Sequence, residues 1–330
     1  MIKKIGRSLI YCAFLLLTVL FLLELCFRCY WFDFYRGNLL TLNPAASLKA
    51  NKDSTLLVLG DSFSADPKGY VNQLRATLPH YQIVNAAIPG TCARQHALLL
   101  PTRIQQFQPD LFIYQIYVGN DLLEWRHPLQ SPHISRLRKI YWWLADRIWV
   151  LGYLNAKLPQ VRQAVYQDLP STIDPKLLEV FSQEKYSQRS KMLFRAEPEL
   201  IQNTILLQGK RKEDLQELTQ SIRRMIQQLP PQCKVLILPI PHCTQLGHPY
   251  VERLQKIGAI MDASSITQEE YPFFDYLKSQ LQNDRVHFIN LLPHLRQRDS
   301  IQAVYYNNDP HLNETGHQII HEQIHEKWLK

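Results

Sequence analysis

Five short apolar runs constrain the fold most: Thr55–Leu59, Gln82–Ala86, Leu111–Val118, Lys234–Ile240 and Val286–Asn290. They are rich in Val, Ile, Leu and aromatics, as strands buried on both faces are. Segments of helix-like spacing stand around them, at Tyr70–Leu78, Ala93–Phe107, Glu213–Leu229, Tyr250–Met261, Pro272–Leu281 and Glu314–Leu329. Strand, helix and next strand joined by right-handed crossovers build a parallel sheet covered on both sides. The expected fold is therefore an α/β three-layer αβα sandwich on a parallel five-stranded sheet. At 46% hydrophobic, the 330 residues can bury such a core, which excludes collagen-like, coiled-coil and wholly disordered chains. A long insertion without a clear strand, about 122–212, separates the third and fourth runs. No repeat or low-complexity tract is present.

The amino terminus reads differently. Lys3, Lys4 and Arg7 precede a stretch from Ser8 to Phe27 that is apolar except for Ser8, Thr18 and Glu24. About 20 such residues cross a ~30 Å hydrocarbon core. No small-residue cleavage site follows Leu23, so residues 1–30 read as an uncleaved signal anchor, a single transmembrane helix, with a cleaved signal peptide as the alternative. The basic tip keeps the amino end cytoplasmic and places the rest on the extracytoplasmic, periplasmic or extracellular side. Tyr30, Trp31, Phe32, Phe34 and Tyr35 would form the outer aromatic belt, and 31–53 a juxtamembrane linker. Residues 54–330 then form the α/β domain.

The net charge of +8 would suit nucleic acid or a membrane surface. Residues 122–212 alone carry 15 Lys and Arg against 8 Asp and Glu, so the excess belongs to the insertion and no nucleic-acid partner is expected. Within it, Arg136, Arg138, Lys139 and Arg147 stand beside Trp142, Trp143 and Trp149, as in an amphipathic helix lying at a lipid interface. A cap over the cleft is an equally good reading of those aromatics. Cys12, Cys26 and Cys29 lie in or beside the span, and Cys92, Cys233 and Cys243 outside it. Cys233 and Cys243 could bridge, but no disulfide scaffold or metal knuckle is evident.

Parallel α/β sheets bind ligands beyond the carboxyl ends of their strands, and that is where the chemistry-bearing residues fall. Gly60-Asp61-Ser62-Phe63-Ser64 follows the first run, Asn85 to Thr91 the second, and Gly119-Asn120-Asp121 the third; Asn308 to His317 precedes the last helix. A serine hydroxyl becomes a nucleophile when an imidazole takes its proton and a carboxylate orients that ring. Ser62, His311 and Asp309 can supply these parts, and the N–H groups of Ser62 and Gly90 with the Asn120 amide can form an oxyanion hole. Each alone has a structural reading: a helix N-cap for Asp61-Ser62, turns at Gly90 and Asn120, a helix start at Asn313-Glu314.

Taken in order, these blocks resemble the SGNH or GDSL-like hydrolases, over about residues 54–330. The resemblance implies Ser62 as nucleophile, Gly90 and Asn120 in the oxyanion hole, His311 as base and Asp309 as its partner. Three departures stand out. Phe63 replaces a leucine, Val118 takes the place of the third block's usual glycine while Gly119 precedes Asn120, and Asp309 lies one residue nearer His311 than is common, with Asn308 in the usual place. The closer spacing resembles the membrane-linked acyltransferase-like branch. His317, His321 and His325 recur at i, i+4, i+8, but no second cluster completes a metal site, so neither metal nor cofactor is expected. His242, after the fourth run, reads as structural or as cleft-lining.

The expected function is a membrane-anchored serine esterase or O-acyltransferase acting on acetyl esters of an envelope or exported saccharide. Its partners would be membrane lipid, through the anchor and Trp142 and Trp143, an acyl-ester substrate, and a membrane protein donating acyl groups. A lipid esterase or thioesterase and a catalytically silent envelope scaffold are the other readings.

Overall fold

The computed structural model describes residues 2–48, 53–129, 132, 134–157 and 174–329. Parts of two expected segments, 49–52 of the linker and 130, 131, 133 and 158–173 of the insertion, lie outside the described residues. The chain divides into two compact units. The smaller draws on Met1–Phe34 and Ser135–Leu169, the larger on Tyr35–Ile134 and Pro170–Lys330.

In the larger unit β1 (Ser54–Leu59), β2 (Tyr81–Asn85), β3 (Leu111–Tyr117), β4 (Lys234–Ile240) and β5 (Val286–Phe288) form one parallel sheet in the order β2-β1-β3-β4-β5. Its three central strands are buried almost throughout, Leu56 to Leu59 and Val235 to Leu238 having no exposed surface. That is why these runs are apolar at consecutive positions rather than alternately. The α/β sandwich expected from the sequence is thus present.

Helices complete the layers. Arg36–Leu42 (α2) precedes β1, Tyr70–Thr77 (α3) follows it, and Ala93–Phe107 (α4) follows β2. Asp121–Trp125 (α5) begins the insertion, which later contributes Gln188–Ala196 (α8), Leu200–Ile205 (α9) and Arg211–Gln228 (α10). His248–Lys256 (α11), Ala263–Ile266 (α12) and Pro272–Leu281 (α13) separate β4 from β5, and Leu292–Asp299 (α14) and Glu314–Lys327 (α15) end the chain. α4, α10 and α13 pack together, as do α3 and α15. The first crossover runs from β1 to β2 and all later ones the other way, so right-handedness places α3 on the face opposite α4. The direction changes at β1, leaving a crevice beyond the carboxyl ends of β1 and β3.

Cys233 and Cys243 are free, like the other four cysteines. They flank the seven residues of β4, which at ~3.3 Å per residue keeps them far beyond bridging distance.

The smaller unit contains α1 (Ile2–Arg28), α6 (Arg136–Ala145) and α7 (Trp149–Lys157). Within α1, Ile10–Arg28 is long and apolar enough to cross a membrane, with mean hydropathy 2.5. Its final turns are tied to α7 and to the α6–α7 corner. Glu24, the one acidic residue of α1, accepts hydrogen bonds from Trp149 N (3.0 Å) and Val150 N (2.9 Å), occupying two orphan donors at the start of α7. Arg28 pairs with Glu24 (2.5 Å), donates to Arg147 O (2.6 Å) and lies over the Trp149 ring. Phe27 is fully buried against Phe34 and Tyr153. Of the expected aromatic belt, Trp31 and Phe32 are exposed while Tyr35 is buried.

Candidate active site

The nucleophile turn leaves β1 at Gly60 and is held by polar contacts from below. Gln115 of β3 accepts from Asp61 N (3.0 Å) and Ser64 Oγ (3.0 Å), and Asn85 at the end of β2 donates to Ser64 O (2.6 Å). Asp61 Oδ1 accepts from Phe63 N (3.0 Å), and Asp121 Oδ2 accepts from Tyr117 N (2.9 Å). Each carboxyl fixes a stretch of backbone beside a proposed catalytic residue. Burial pushes both above the usual carboxylate value, Asp121 well above it, where the charge of Asp61 adds to the effect.

Above this turn the sequence-derived residues converge. Ser62 Oγ lies 2.7 Å from His311 Nε2, and His311 Nδ1 is hydrogen-bonded to Asp309 Oδ1. Asp309 Oδ1 also accepts from His311 N at 3.0 Å. One carboxylate oxygen therefore closes an Asx-type turn two residues on and orients the ring. The Asp-x-His spacing suits this arrangement, because a single oxygen serves both groups. Burial alone would raise the Asp309 carboxyl, but the hydrogen bonds and positive charge of His311 hold it below its ordinary value. It stays ionised wherever the imidazole needs it.

Asn308 is engaged elsewhere. It is fully buried, accepts from Ser182 N (2.6 Å) and donates to Val180 O (2.7 Å), while its carbonyl accepts from Ser187 N (2.9 Å). It pins the second half of the insertion to the catalytic loop and is not a partner for His311.

The other two departures have packing reasons. The Phe63 ring lies 4.2 Å from that of Tyr117 and 4.9 Å from that of His311, backing the imidazole on its apolar side. Tyr117 donates to Pro310 O (3.2 Å) and so supports the same loop. Any Cβ at position 119 would come within 2.4 Å of the Tyr117 ring, so the glycine belongs directly before Asn120 here. Gly90 adopts φ +70, open to glycine at no steric cost.

Ser62, Asn120 and His311 line a cavity of about 80 Å³. Its remaining wall includes Tyr117, Gly119, His242 and Pro310, and, from the insertion, Ser187, Arg189, Ser190, Leu193, Phe194, Leu200 and Ile201. Asn120 lines the cavity, and its side-chain Oδ1 is buried without a hydrogen-bond partner among the described residues. Gly90 does not line the cavity; the guanidinium of Arg189, which does, passes 3.7 Å from where a Gly90 Cβ would lie. Arg189 itself is ion-paired with Glu124.

His242 lines the cavity as well as serving structure. It stacks on Tyr117, its Nδ1 accepts from Thr244 N (3.3 Å), and burial lowers its pKa to about 3, keeping the ring neutral. The three C-terminal histidines do not share a site. His317 is buried against Tyr70 with its pKa lowered to about 4 by burial, and His321 meets Thr77 Oγ1 at 2.9 Å. The insertion's cavity residues carry no recognisable motif; the signal that could have pointed to them is the amphipathic spacing of 188–196.

No family model matches the chain, and no curated protein does. Solved structures similar to it include TesA, at 17% identity over 82% of this chain and 95% of that one, with a TM-score of 0.37. A catalytic mutant of Axe2, an acetylxylan esterase from Geobacillus stearothermophilus, matches at 14% identity over 83% of this chain and 93% of its own, TM-score 0.40. The lipase Lip_vut3 from a goat rumen metagenome matches at 12% over 82% and 96%, TM-score 0.38. Likenesses this distant transfer no residue roles; the geometry of Ser62, His311 and Asp309 stands on its own.

Proposed function

We propose that this chain is a membrane-held serine esterase or acyltransferase acting on short acyl esters of a polar alcohol such as a saccharide. The observation that carries the reading is the Ser62–His311–Asp309 relay, 2.7 Å at its nucleophilic end and opening on a small cavity. Ser62 Oγ attacks the acyl carbonyl as its proton passes to His311 Nε2, and Asp309 stabilises the imidazolium. The developing oxyanion takes hydrogen bonds from Ser62 N, Gly90 N and the Asn120 amide. His311 returns the proton to the leaving alcohol as the C–O bond breaks, leaving an acyl-serine. Water then yields hydrolysis, and a sugar hydroxyl yields transfer; either gives its proton to His311 and displaces Ser62.

Cavity size favours a short acyl group. An apolar cavity of roughly 150 Å³ binds benzene, and one of about 80 Å³ suits an acetyl group better than a long chain. The wall pairs Ser187, Arg189 and Ser190, which suit a hydroxyl-rich alcohol, with the apolar Leu193, Phe194, Leu200 and Ile201, which suit an acyl group. The anchor reading is supported by the role of Glu24 and Phe27: cleavage after α1 would remove the cap of α7 and the core of the smaller unit. The basic tip, Lys3, Lys4 and Arg7, favours an extracytoplasmic catalytic unit.

A fluorophosphonate probe tests the reaction class. The full chain in detergent should label, and Ser62→Ala should not; a folded wild type that fails to label would mean a silent scaffold. Faster turnover of nitrophenyl octanoate than of nitrophenyl acetate would instead favour a lipid esterase.

A further inference from the structure

The smaller unit presents an apolar surface that its own core does not use. On α6, Leu137 (80% exposed), Ile140 (54%) and Trp143 (46%) point to solvent, whereas the adjacent Trp142 is buried at 5%. At about 100° per residue, the three exposed side chains fall within an arc of about 120° on one face of the helix. Exposed Arg136 stands at the start of this stripe, and Arg147, which lies over the Trp143 ring at 4.3 Å, just beyond its end. Trp31 and Phe32, also exposed, come three and four residues after the end of α1. Apolar side chains in an arc with basic residues at both ends are what a helix lying in the headgroup layer requires.

Position supplies the second observation. Arg147 and Trp149, which bound the α6–α7 corner, are held at the last turns of α1 by Glu24 and Arg28. If α1 spans the bilayer, Arg28 marks its exit. α6 has ten residues, about 15 Å of helix, so every residue of the stripe lies within about that distance of the exit point.

We propose that the α6 face formed by Leu137, Ile140 and Trp143 seats in the headgroup region of an anionic bilayer beside the exit of α1. The proposal rests on α1 being a membrane span. Its occupant is lipid because the stripe is basic at both ends and tied to the apolar helix. Trp142, singled out by sequence alongside Trp143, is packed inside the unit and is not part of the contact.

Full-length protein in vesicles of phosphatidylcholine with phosphatidylglycerol, carrying lipids brominated near the headgroup end of the chains, provides the test. Part of the tryptophan quenching should disappear in Trp143→Phe and remain in Trp125→Phe, whose indole bonds Glu217 in the larger unit. Leu137→Glu combined with Ile140→Glu, Trp143 retained, should reduce quenching in the same way. Exchanging phosphatidylglycerol for more phosphatidylcholine should weaken it. Quenching unchanged by Trp143→Phe, or indifferent to anionic lipid, overturns the proposal. Release of the whole chain by alkaline carbonate washing would overturn the anchor instead, a separate result.

Discussion

The two halves of the insertion look alike in sequence and build different things. Residues 135–157 carry Arg136, Arg138, Lys139, Arg147 and Lys157 against Asp146, and residues 174–212 carry eight basic residues against five acidic ones. The first half closes around the end of α1, with Glu24 and Arg28 at its corner. The second half is pinned to the catalytic loop by Asn308 and walls the cavity over Ser62. Charge and aromatic content did not distinguish them. What does is the fixed polar group each half meets: a carboxylate at the end of an apolar helix in one case, a buried amide beside the base in the other.

Each arrangement turns on one fixed polar group, Glu24 or Asn308, and the largest effect should come from removing the charge of Asp309, the residue next to Asn308. Asp309→Asn keeps the shape but favours the wrong imidazole tautomer, and should lower kcat on nitrophenyl acetate by about 10⁴-fold. A fall of only a few-fold would make the site a Ser–His dyad and weaken the contrast between the halves. Asn120→Ala should follow, at about 10²–10³-fold in kcat with KM little changed, as expected for a donor used only in the transition state.

The second half of the insertion should show itself in selectivity rather than rate. Leu193 lines the cavity and is only half-buried, so Leu193→Ala enlarges the acyl space at modest structural cost. The ratio of kcat/KM for butyrate over acetate esters should rise by about 10-fold or more, the usual worth of one or two methylenes in a pocket. An unchanged ratio would detach this half of the insertion from substrate choice.

Much of the larger unit was legible because its signals are local and repeated. Lys234–Ile240, Ala93–Phe107 and Pro272–Leu281 fall where their apolar spacing puts them. Ser62 and Asn120 are found after strands, where a parallel sheet offers exposed polar positions, and Asp309 and His311 on the loop before the last helix. Ends that depend on tertiary packing were not legible. β5 stops at Phe288 rather than Asn290, and α11 ends at Lys256 rather than continuing to Met261. α14, with Pro293 in its first turn, was missed. The cavity wall from Ser187 to Ile201 carries no motif, because most of its residues are ordinary helix positions, tied to the site through the contacts of Asn308. Glu24 read as an interruption of the apolar span, and only the fold reveals the helix it caps.

That last residue gives the smallest effect and the cleanest separation. In Glu24→Ala the N–H groups of Trp149 and Val150 lose their acceptor and Arg28 its partner. Loss of a helix cap typically costs about 1 kcal/mol, which multiplies local opening by about 5-fold. Amide hydrogen exchange at Trp149 and Val150 in the full-length protein should speed up by that factor. Turnover of a water-soluble acetate ester should not change, because none of the groups that touch the reacting atoms belongs to this corner. If kcat falls together with protection at α7, the two halves of the insertion act as one device rather than two. If exchange quickens while kcat holds, the first half serves attachment and the second serves catalysis, the one fixed by the Glu24 carboxylate and the other by the Asn308 amide.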